Sequence, residues 1–161
     1  MIERAQRTAS LNDIEKIWNL VKLVADDVPI SLASEADQEK ALTELMECCT
    51  GPHSPIALDG ADVIGVVLAK RDLLDWGLSN VESLNISLAA VSPSHRDQGV
   101  LKSLLSELVQ ANNAPIYVGV KAGDAQGLPD ELKSCGFSLA ASGEKGELYK
   151  WAPVAAEAKA A

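Results

Sequence analysis

Apolar side chains recur three and four residues apart in four stretches of the chain, and this spacing predicts four helices. The predicted helices cover residues 14–24, 34–49, 101–109 and 129–136. Ser10 and Asp13 stand just before the first stripe in the spacing of a capping box, and Pro29 ends that element. The positions predicted to face inward in the second helix are Leu42, Leu45 and Met46.

Runs of β-prone residues separate the helices and predict the strands. These runs cover residues 2–8, 56–58, 63–69, 81–91, 116–120, 137–140 and 147–151. The pair Asp59-Gly60 is a strong turn signal, so the second and third runs are expected to form a hairpin. Residues 72–80, which include Trp76, are predicted to be a loop.

The order of these elements predicts an α/β fold in which a mixed sheet carries helices on both faces. One strand pair is expected to be parallel, because a crossover helix joins residues 81–91 to residues 116–120. The length suits a single domain over residues 1–151. The alanine-rich residues 152–161 are expected to be a frayed tail.

Charge and composition narrow the range of partners. The formal net charge of −9 and the pI of about 4.6 disfavour nucleic acid and suit a cationic or neutral partner. The same net charge and pI are also explained if the acidic residues serve only to keep the protein in solution. No run reaches the ~18 apolar residues of a membrane span, and the N-terminus has no long apolar segment, so a cytoplasmic protein is expected.

The cysteines and histidines favour neither a metal site nor a nucleophile. Cys48, Cys49 and Cys135 match no disulfide framework and no zinc-ligand spacing. Cys48 and Cys49 adjoin at the end of a predicted helix, where cysteine commonly packs as a small hydrophobe. His53 and His95 are the only histidines, so no metal is expected.

The segment at residues 91–101 joins a predicted strand to a predicted helix through a polar turn with one glycine. Gly99 has no Cβ, which lets an anion approach the backbone there. The first N–H groups of the helix lack intrahelical partners and, with the helix dipole, favour a phosphate. The same pattern is also an ordinary strand-to-helix connection, and neither a P-loop nor a dinucleotide-binding glycine motif is present.

The motifs and their order resemble the GNAT superfamily of acyl-CoA-dependent N-acyltransferases over residues 2–151. Residues 7–14 are similar to the family's first strand and helix start. Arg96-Asp97-Gln98-Gly99-Val100-Leu101 resembles its signature of Arg or Gln, two residues, Gly, one residue, then Gly or Ala. Cys135-Gly136-Phe137 resembles the Leu-Gly-Phe that closes its last helix. The resemblance implies a mostly antiparallel, twisted sheet flanked by helices, with a central β-α-β unit.

The resemblance also implies acetyl-CoA as the acyl donor and assigns residues to coenzyme A. The main chain of Ala89 and Val91 would bond the pantetheine arm, and the N–H near Ala89 would polarise the thioester carbonyl. An amine would attack the thioester directly while a base removes its proton. The pyrophosphate would lie against Arg96, Asp97, Gln98, Gly99, Val100, Leu101 and Lys102, chiefly their backbone N–H groups.

Two departures from the family pattern bear on coenzyme A binding and on catalysis. Leu101 stands where Gly or Ala is usual, which coenzyme A tolerates if the leucine turns into the core. Leu132 stands where a tyrosine commonly protonates the departing thiolate, and leucine has no proton to donate. Tyr117 and Tyr149 are alternatives for this acid, and packing in the sheet is the other interpretation of both.

The general base is open at the level of sequence. Asn85 stands where some members carry a glutamate, and Asn85 and Ser87 share the strand parity of Ala89. They would order a water that relays the proton, or simply line a polar groove. Glu82 lies on the other face by strict alternation, and only a bulge would bring it round.

Other polar residues near the motif have two interpretations each. His95 is more typical of a solvated loop residue than of a base. Arg96 either binds the anion or pairs with a surface acid. The asparagine that usually precedes the last helix is absent, with Ala125 in its place between Asp124 and Gln126.

Two functions follow from the resemblance. The first is an acetyl-CoA-dependent N-acetyltransferase acting on an amine of a small molecule or a protein. The alternative is a catalytically weak or inactive module that binds an acyl-CoA or a protein, and Leu132 favours it. Asp26 and Asp27 would attract a cationic acceptor or are merely solvated. A homodimer stays open, with Trp76 as a partner surface if it is exposed.

Overall fold

A computed structural model describes residues 4–28, 31–71, 83–112, 114–122 and 126–153. Its helices are α1 (Ile14–Leu23), α2 (Glu35–Thr50), α3 (Val100–Ala111) and α4 (Leu128–Ser134). Its strands are β1 (Arg4–Thr8), β2 (Pro55–Asp59), β3 (Asp62–Arg71), β4 (Leu84–Val91), β5 (Ile116–Lys121), β6 (Ser138–Gly143) and β7 (Gly146–Trp151).

The seven strands form one sheet in the order β1-β2-β3-β4-β5-β7-β6. Only β4 and β5 pair in parallel, and every other neighbouring pair is antiparallel. The parallel pair is connected through α3. The predicted mostly antiparallel sheet with one β-α-β unit is confirmed.

Each face of the sheet is covered by two helices. One core packs α1 and α2 on the sheet, and the other packs α3 and α4 on the opposite side. We call these sides the α1/α2 face and the α3/α4 face. Representative buried side chains of the first are Ile17, Val21, Leu45, Val66, Leu68 and Leu88, and of the second Val67, Ile86, Leu104, Leu105, Val118 and Leu132.

The predicted capping box is present where α1 begins. The Ser10 N–H donates to Asp13 Oδ2 at 2.8 Å. Arg7 donates to both carboxylate oxygens of the buried Asp13 at 2.7 Å, which lowers the pKa of Asp13 to about 2 even though burial opposes the shift. This ion pair joins β1 to the start of α1.

The predicted inner face of α2 is partly wrong. Leu45 is fully buried, but Met46 is exposed. The buried stripe instead runs through Ala41, Leu45, Cys48 and Cys49, because the helix presents its cysteine side to the sheet. Burial raises the pKa of the Cys48 thiol to about 11, so this cysteine packs as a protonated apolar side chain.

A bulge in β4 changes which residues share a face. Leu68 of β3 lies opposite Leu88, but Ala69 lies opposite Ile86, so Ser87 is the extra residue of β4. Before the bulge, Ile86 packs on the α3/α4 face, and after it Leu88 packs on the α1/α2 face. Strict alternation along β4 therefore fails at Ser87.

Some expectations fall on residues outside the described ranges. These are the tail from residue 154 onward, Trp76, Glu82, Asp124 and Ala125. Within the described ranges, each helix is too short or too polar to cross a bilayer. The same ranges contain no group of three or more His, Cys, Asp or Glu side chains placed to hold a metal ion.

Candidate active site

The two parallel strands, β4 and β5, are paired over only part of their length and then separate. β4 pairs with β5 only from Leu84 to Ile86, opposite Ile116 to Val118. Beyond this point β4 continues to Val91 and β5 continues to Lys121 while bonded on its other side to β7. A gap therefore opens between them, lined by main-chain groups of β4 that no strand within the described ranges pairs with.

The main chain of Ala89 and Val91 faces this gap. The Ala89 carbonyl accepts from a side-chain amide at 3.1 Å, and the Val91 N–H donates to the same amide at 2.9 Å. An extended residue presents its N–H and its C=O to the same edge, so the Ala89 N–H faces the gap as well. The Ser92 N–H points to the opposite edge of the strand and donates to the Ile64 carbonyl of β3 at 2.7 Å.

The amide in the gap belongs to Gln126, just before α4. Its Oε1 accepts from Val91 and its Nε2 donates to Ala89, and the residue is 7% exposed. Two buried main-chain groups are thus satisfied by one carboxamide. The sequence interpretation noted Gln126 only as a neighbour of the missing asparagine. Its one available signal was a long amide side chain in that loop.

The helix start beside the gap has a glycine cap and left-handed backbone residues. Gly99 is the N-cap of α3 with φ 78°, and Asp97 also has a positive φ of 62°. The N–H groups of Val100, Leu101 and Lys102 occupy the first turn, where intrahelical acceptors are missing, whereas Ser103 donates to Gly99 at 3.0 Å. N–H groups at this position of a helix favour an anion on general grounds.

The side chains of this loop divide between core and solvent. Leu101 is 3% exposed, which confirms that it turns into the core. Val100 is buried too, whereas Asp97, Gln98 and Lys102 are exposed. Gln98 donates to the Ser94 carbonyl at 3.4 Å. The apolar side chains of the loop therefore anchor the helix in the core, and its polar side chains face solvent.

Two side-chain contacts with aspartates tie the loop to its surroundings. Arg96 donates to Asp27, beyond α1, at 2.8 Å, while its buried Nε has no hydrogen-bond partner in the part of the chain that the structure describes. His95 Nε2 lies 3.1 Å from Oδ2 of Asp59, the last residue of β2, and the His95 side chain is only 20% exposed. His95 is therefore not the solvated loop residue that was expected. Of the two interpretations of Arg96, an anion contact or a pair with an acid, the structure shows the pair with an acid.

A polar network lies at the closed end of the gap, on the α1/α2 face. Ser87 donates to Glu44 Oε1 of α2. Lys70 of β3 donates to Glu44 Oε2 at 2.8 Å and to Glu47 Oε2 at 2.8 Å. Cys48 Sγ lies 3.9 Å from Ser87 Oγ.

This network contains a carboxylate that the sequence interpretation missed. Burial alone would raise the pKa of Glu44, but hydrogen bonds from Lys70 and Ser87 outweigh it and lower the pKa. Burial alone would lower the pKa of Lys70. The hydrogen bonds from Lys70 to Glu44 and Glu47 outweigh this effect and raise the pKa. The signal available in sequence was that Glu44 precedes the buried Cys48 by one helical turn.

The expectation that Asn85 and Ser87 share a face with Ala89 is wrong. Asn85 lies opposite Lys70 and Ser87 contacts α2, so both belong to the α1/α2 face. Ala89 packs in the α3/α4 core because the bulge inserts one residue before it. The assignment of Ala89 itself rests on its main chain, which the bulge leaves directed into the gap.

The tyrosines lie on opposite faces. Tyr149 shares the α3/α4 core with Leu132, and both are almost fully buried. Burial and the nearby carboxylates of Glu147 and Asp130 raise the pKa of Tyr149. Tyr117 lies opposite Asn85, on the other face, with Lys150 Nζ 5.6 Å from its ring centre.

A groove of about 880 Å³ opens beside the segment after α1. Its walls come from the segment after α1, from the end of β5 and from the β6–β7 hairpin. Lys121 Nζ donates to the Asp26 carbonyl at 2.9 Å and links two of these walls. The charged side chains that line it are Asp26, Lys121, Lys145 and Glu147.

No protein-family model and no curated protein sequence matches the chain. Solved structures do match it. A GNAT-family acetyltransferase from Bacillus cereus has a TM-score of 0.65 at 15% identity, covering 94% of this chain and 99% of that one.

Two further structures contain coenzyme A or a derivative of it. Diaminobutyrate acetyltransferase EctA from Paenibacillus lautus, in complex with L-2,4-diaminobutyric acid and coenzyme A, has a TM-score of 0.69 at 17% identity and covers 95% of this chain and 96% of its own. Naa50 from Arabidopsis thaliana, in complex with the bisubstrate analogue CoA-Ac-MVNAL, has a TM-score of 0.69 at 12% identity, with coverages of 92% and 98%. At these identities the likeness establishes the fold: the chain has the GNAT acetyltransferase fold.

Proposed function

We propose that the protein is an acetyl-CoA-dependent N-acetyltransferase. One observation carries the proposal: the β4 edge in the gap presents a paired donor and acceptor, Val91 N–H and Ala89 C=O, that already hold a carboxamide. An amide of the pantetheine arm offers the same two complementary groups. β4 leads directly into the loop that ends at Gly99, so the arm and the diphosphate of one ligand reach both places.

The proposed chemistry follows from these groups. With the thioester at the closed end of the gap, the Ala89 N–H stabilises the negative charge that develops on the carbonyl oxygen. Leu132 cannot protonate the thiolate, so solvent supplies that proton. Loss of one general acid typically costs about 10²–10⁴-fold, which slows the reaction without preventing it.

The acceptor is proposed to be an amine on a small molecule or at the end of a peptide. The groove of about 880 Å³ supports this, because its volume falls within the usual size of ligand sites. It contains charges of both signs, two carboxylates and two ammonium groups. A ligand with an amino group and a polar or anionic remainder suits such a lining.

The direct test is release of free thiol from acetyl-CoA across a panel of amines. We expect release with at least one of a diamine, an amino acid and a short peptide with a free N-terminus. The same peptide with a blocked N-terminus is the matched control and should be silent. No calorimetric heat with either coenzyme A or acetyl-CoA would contradict the proposal.

Binding without catalysis is the second candidate, and the burial of Leu132 favours it. Leu132 is fully buried in the α3/α4 core, so its position offers no proton donor. Tight binding of acetyl-CoA together with no thiol release over the whole panel would identify this function. Measurable turnover with any amine would eliminate it.

Gln126→Leu is expected to tighten coenzyme A binding by about tenfold. The arm must displace the Gln126 carboxamide from two hydrogen bonds, each of which contributes roughly 0.5–1.5 kcal/mol. Without the Gln126 carboxamide, the Val91 N–H and the Ala89 carbonyl lack this partner only in the free protein, because the arm pairs with both of them when coenzyme A binds. Calorimetric titration with coenzyme A measures the change.

Gln110→Leu on the exposed side of α3 is the matched control and should leave the affinity unchanged. The 3′-phospho-ADP fragment of coenzyme A lacks the pantetheine arm, so its affinity should not respond to Gln126→Leu. Equal tightening of both ligands, or no tightening of coenzyme A, would show that the arm does not compete for this edge.

A further inference from the structure

We propose that Glu44 takes up the proton of the attacking amine through the hydroxyl of Ser87. The inference rests on the proposed N-acetyltransferase function and adds the proton acceptor that the sequence left open. Ser87 would touch the substrate, whereas Glu44 on α2 would act through it as a positioning and proton-accepting residue.

The hydrogen bonds of Ser87 leave one lone pair for a substrate. A serine hydroxyl has one donor and two acceptor positions. Its donor is used toward Glu44, and the Cys48 thiol at 3.9 Å takes one acceptor position. Among the described residues nothing takes the remaining acceptor position, which is available to an amine N–H.

The position of Ser87 along β4 suits this role. It follows Ile86, the last residue of β4 paired with β5, and precedes the main-chain groups that line the gap. As the bulge residue it faces α2 through its bond to Glu44. An amine that approaches from the α2 side would meet Ser87 before it reaches a thioester lying along Ala89.

The surroundings of Glu44 keep it ionised and ready to accept a proton. Its second oxygen binds Lys70 at 2.8 Å, and its side chain is 28% exposed. The other titratable groups around it are Glu47, which shares Lys70, and Cys48, whose thiol is protonated. The carboxylate can release an acquired proton to water because it is not fully enclosed.

In the proposed step the amine nitrogen forms a bond to the carbonyl carbon of the thioester, and the carbon–sulfur bond breaks to release the thiolate. The nitrogen proton passes to Ser87 Oγ while the Ser87 proton passes to Glu44 Oε1. Solvent then protonates the thiolate and removes the proton from Glu44, so the enzyme returns to its initial state.

The experiment compares Glu44→Gln with Glu47→Gln in thiol-release kinetics. Both glutamates bind Lys70 at 2.8 Å, but only Glu44 bonds to Ser87, and Glu47 is 55% exposed. We expect Glu44→Gln to lower kcat about 10²-fold with little change in KM, and Glu47→Gln to stay within about threefold of the wild type. The deficit of Glu44→Gln should shrink as pH rises from 7 to 9.5, because hydroxide replaces the missing base.

Ser87→Ala provides a second variant, and Ser87→Ala combined with Glu44→Gln should be no slower than the worse single variant. Calorimetry with coenzyme A should give wild-type affinity for all of them, which verifies folding. Equal effects of Glu44→Gln and Glu47→Gln, or a pH-independent deficit, would contradict this inference alone. Absence of turnover in the wild-type protein would contradict the proposed function and this inference together.

Discussion

Gly99→Glu is expected to weaken coenzyme A binding by at least 100-fold. Gly99 caps α3 with φ 78°, beside the N–H groups proposed to hold the diphosphate. A carboxylate there brings like charge to the anion, and at 4 Å such a pair costs about 4 kcal/mol at an effective dielectric of 20. The same side chain also competes for the helix N–H groups. Calorimetric titration with coenzyme A and acetyl-CoA measures the loss.

Two control variants separate charge from backbone strain. A Cβ at Gly99 meets no atom within 4 Å, so Gly99→Ala carries only the left-handed strain of about 1–2 kcal/mol and should retain most of the affinity. Gly60 in the β2–β3 turn also has a positive φ and an open surrounding, so Gly60→Glu introduces equal charge and strain elsewhere. Unchanged affinity in Gly99→Glu, or an equal loss in Gly60→Glu, would refute the diphosphate assignment.

Gly146→Ala is expected to destabilise the fold by at least about 3 kcal/mol. Gly146 has φ 151°, and a Cβ there would lie 2.1 Å from the Val120 carbonyl oxygen and 3.3 Å from the Ala122 nitrogen. Both contacts are backbone, so relief requires β5 and β7 to separate where Lys121 pairs with Gly146. For a chain of this length the melting temperature should fall by about 10 °C, measured by circular dichroism.

Gly143→Ala in the same hairpin is the matched control. A Cβ there meets nothing within 4 Å, and the residue has no positive φ. We expect its melting temperature to stay within about 3 °C of the wild type. If Gly146→Ala melts within that range too, the close approach of β7 to β5 is not required for stability.

The central β-α-β unit illustrates what local patterns reveal. The apolar run of β4, the stripe of α3 and the β-prone run of β5 are each visible within a short window, and their order requires a parallel pair. Gly99 and the capping box at Ser10 and Asp13 are likewise short-range signals. Predictions of this kind succeeded because each depends on neighbouring residues alone.

Ser87 and Met46 show where such patterns fail. Strict alternation assigned Ser87 to the face of Ala89, but the register between β3 and β4 inserts an extra residue there. The spacing in α2 directed Met46 inward, yet the helix turns its cysteine side to the sheet. Both outcomes depend on a partner element that a single segment does not contain.

The amino-acid sequence by itself determined the order of elements, the parallel crossover and the glycine-capped helix start, because these follow from local periodicity and turn chemistry. Only the tertiary structure decided that Glu44 meets Ser87 across 43 residues and that Gln126 meets Ala89 across 37. Within a short stretch of sequence, a charged residue on a helix or an amide in a loop is fully consistent with a solvent-exposed position. Packing of α2 and of the segment before α4 against β4 is what brings these groups to the gap.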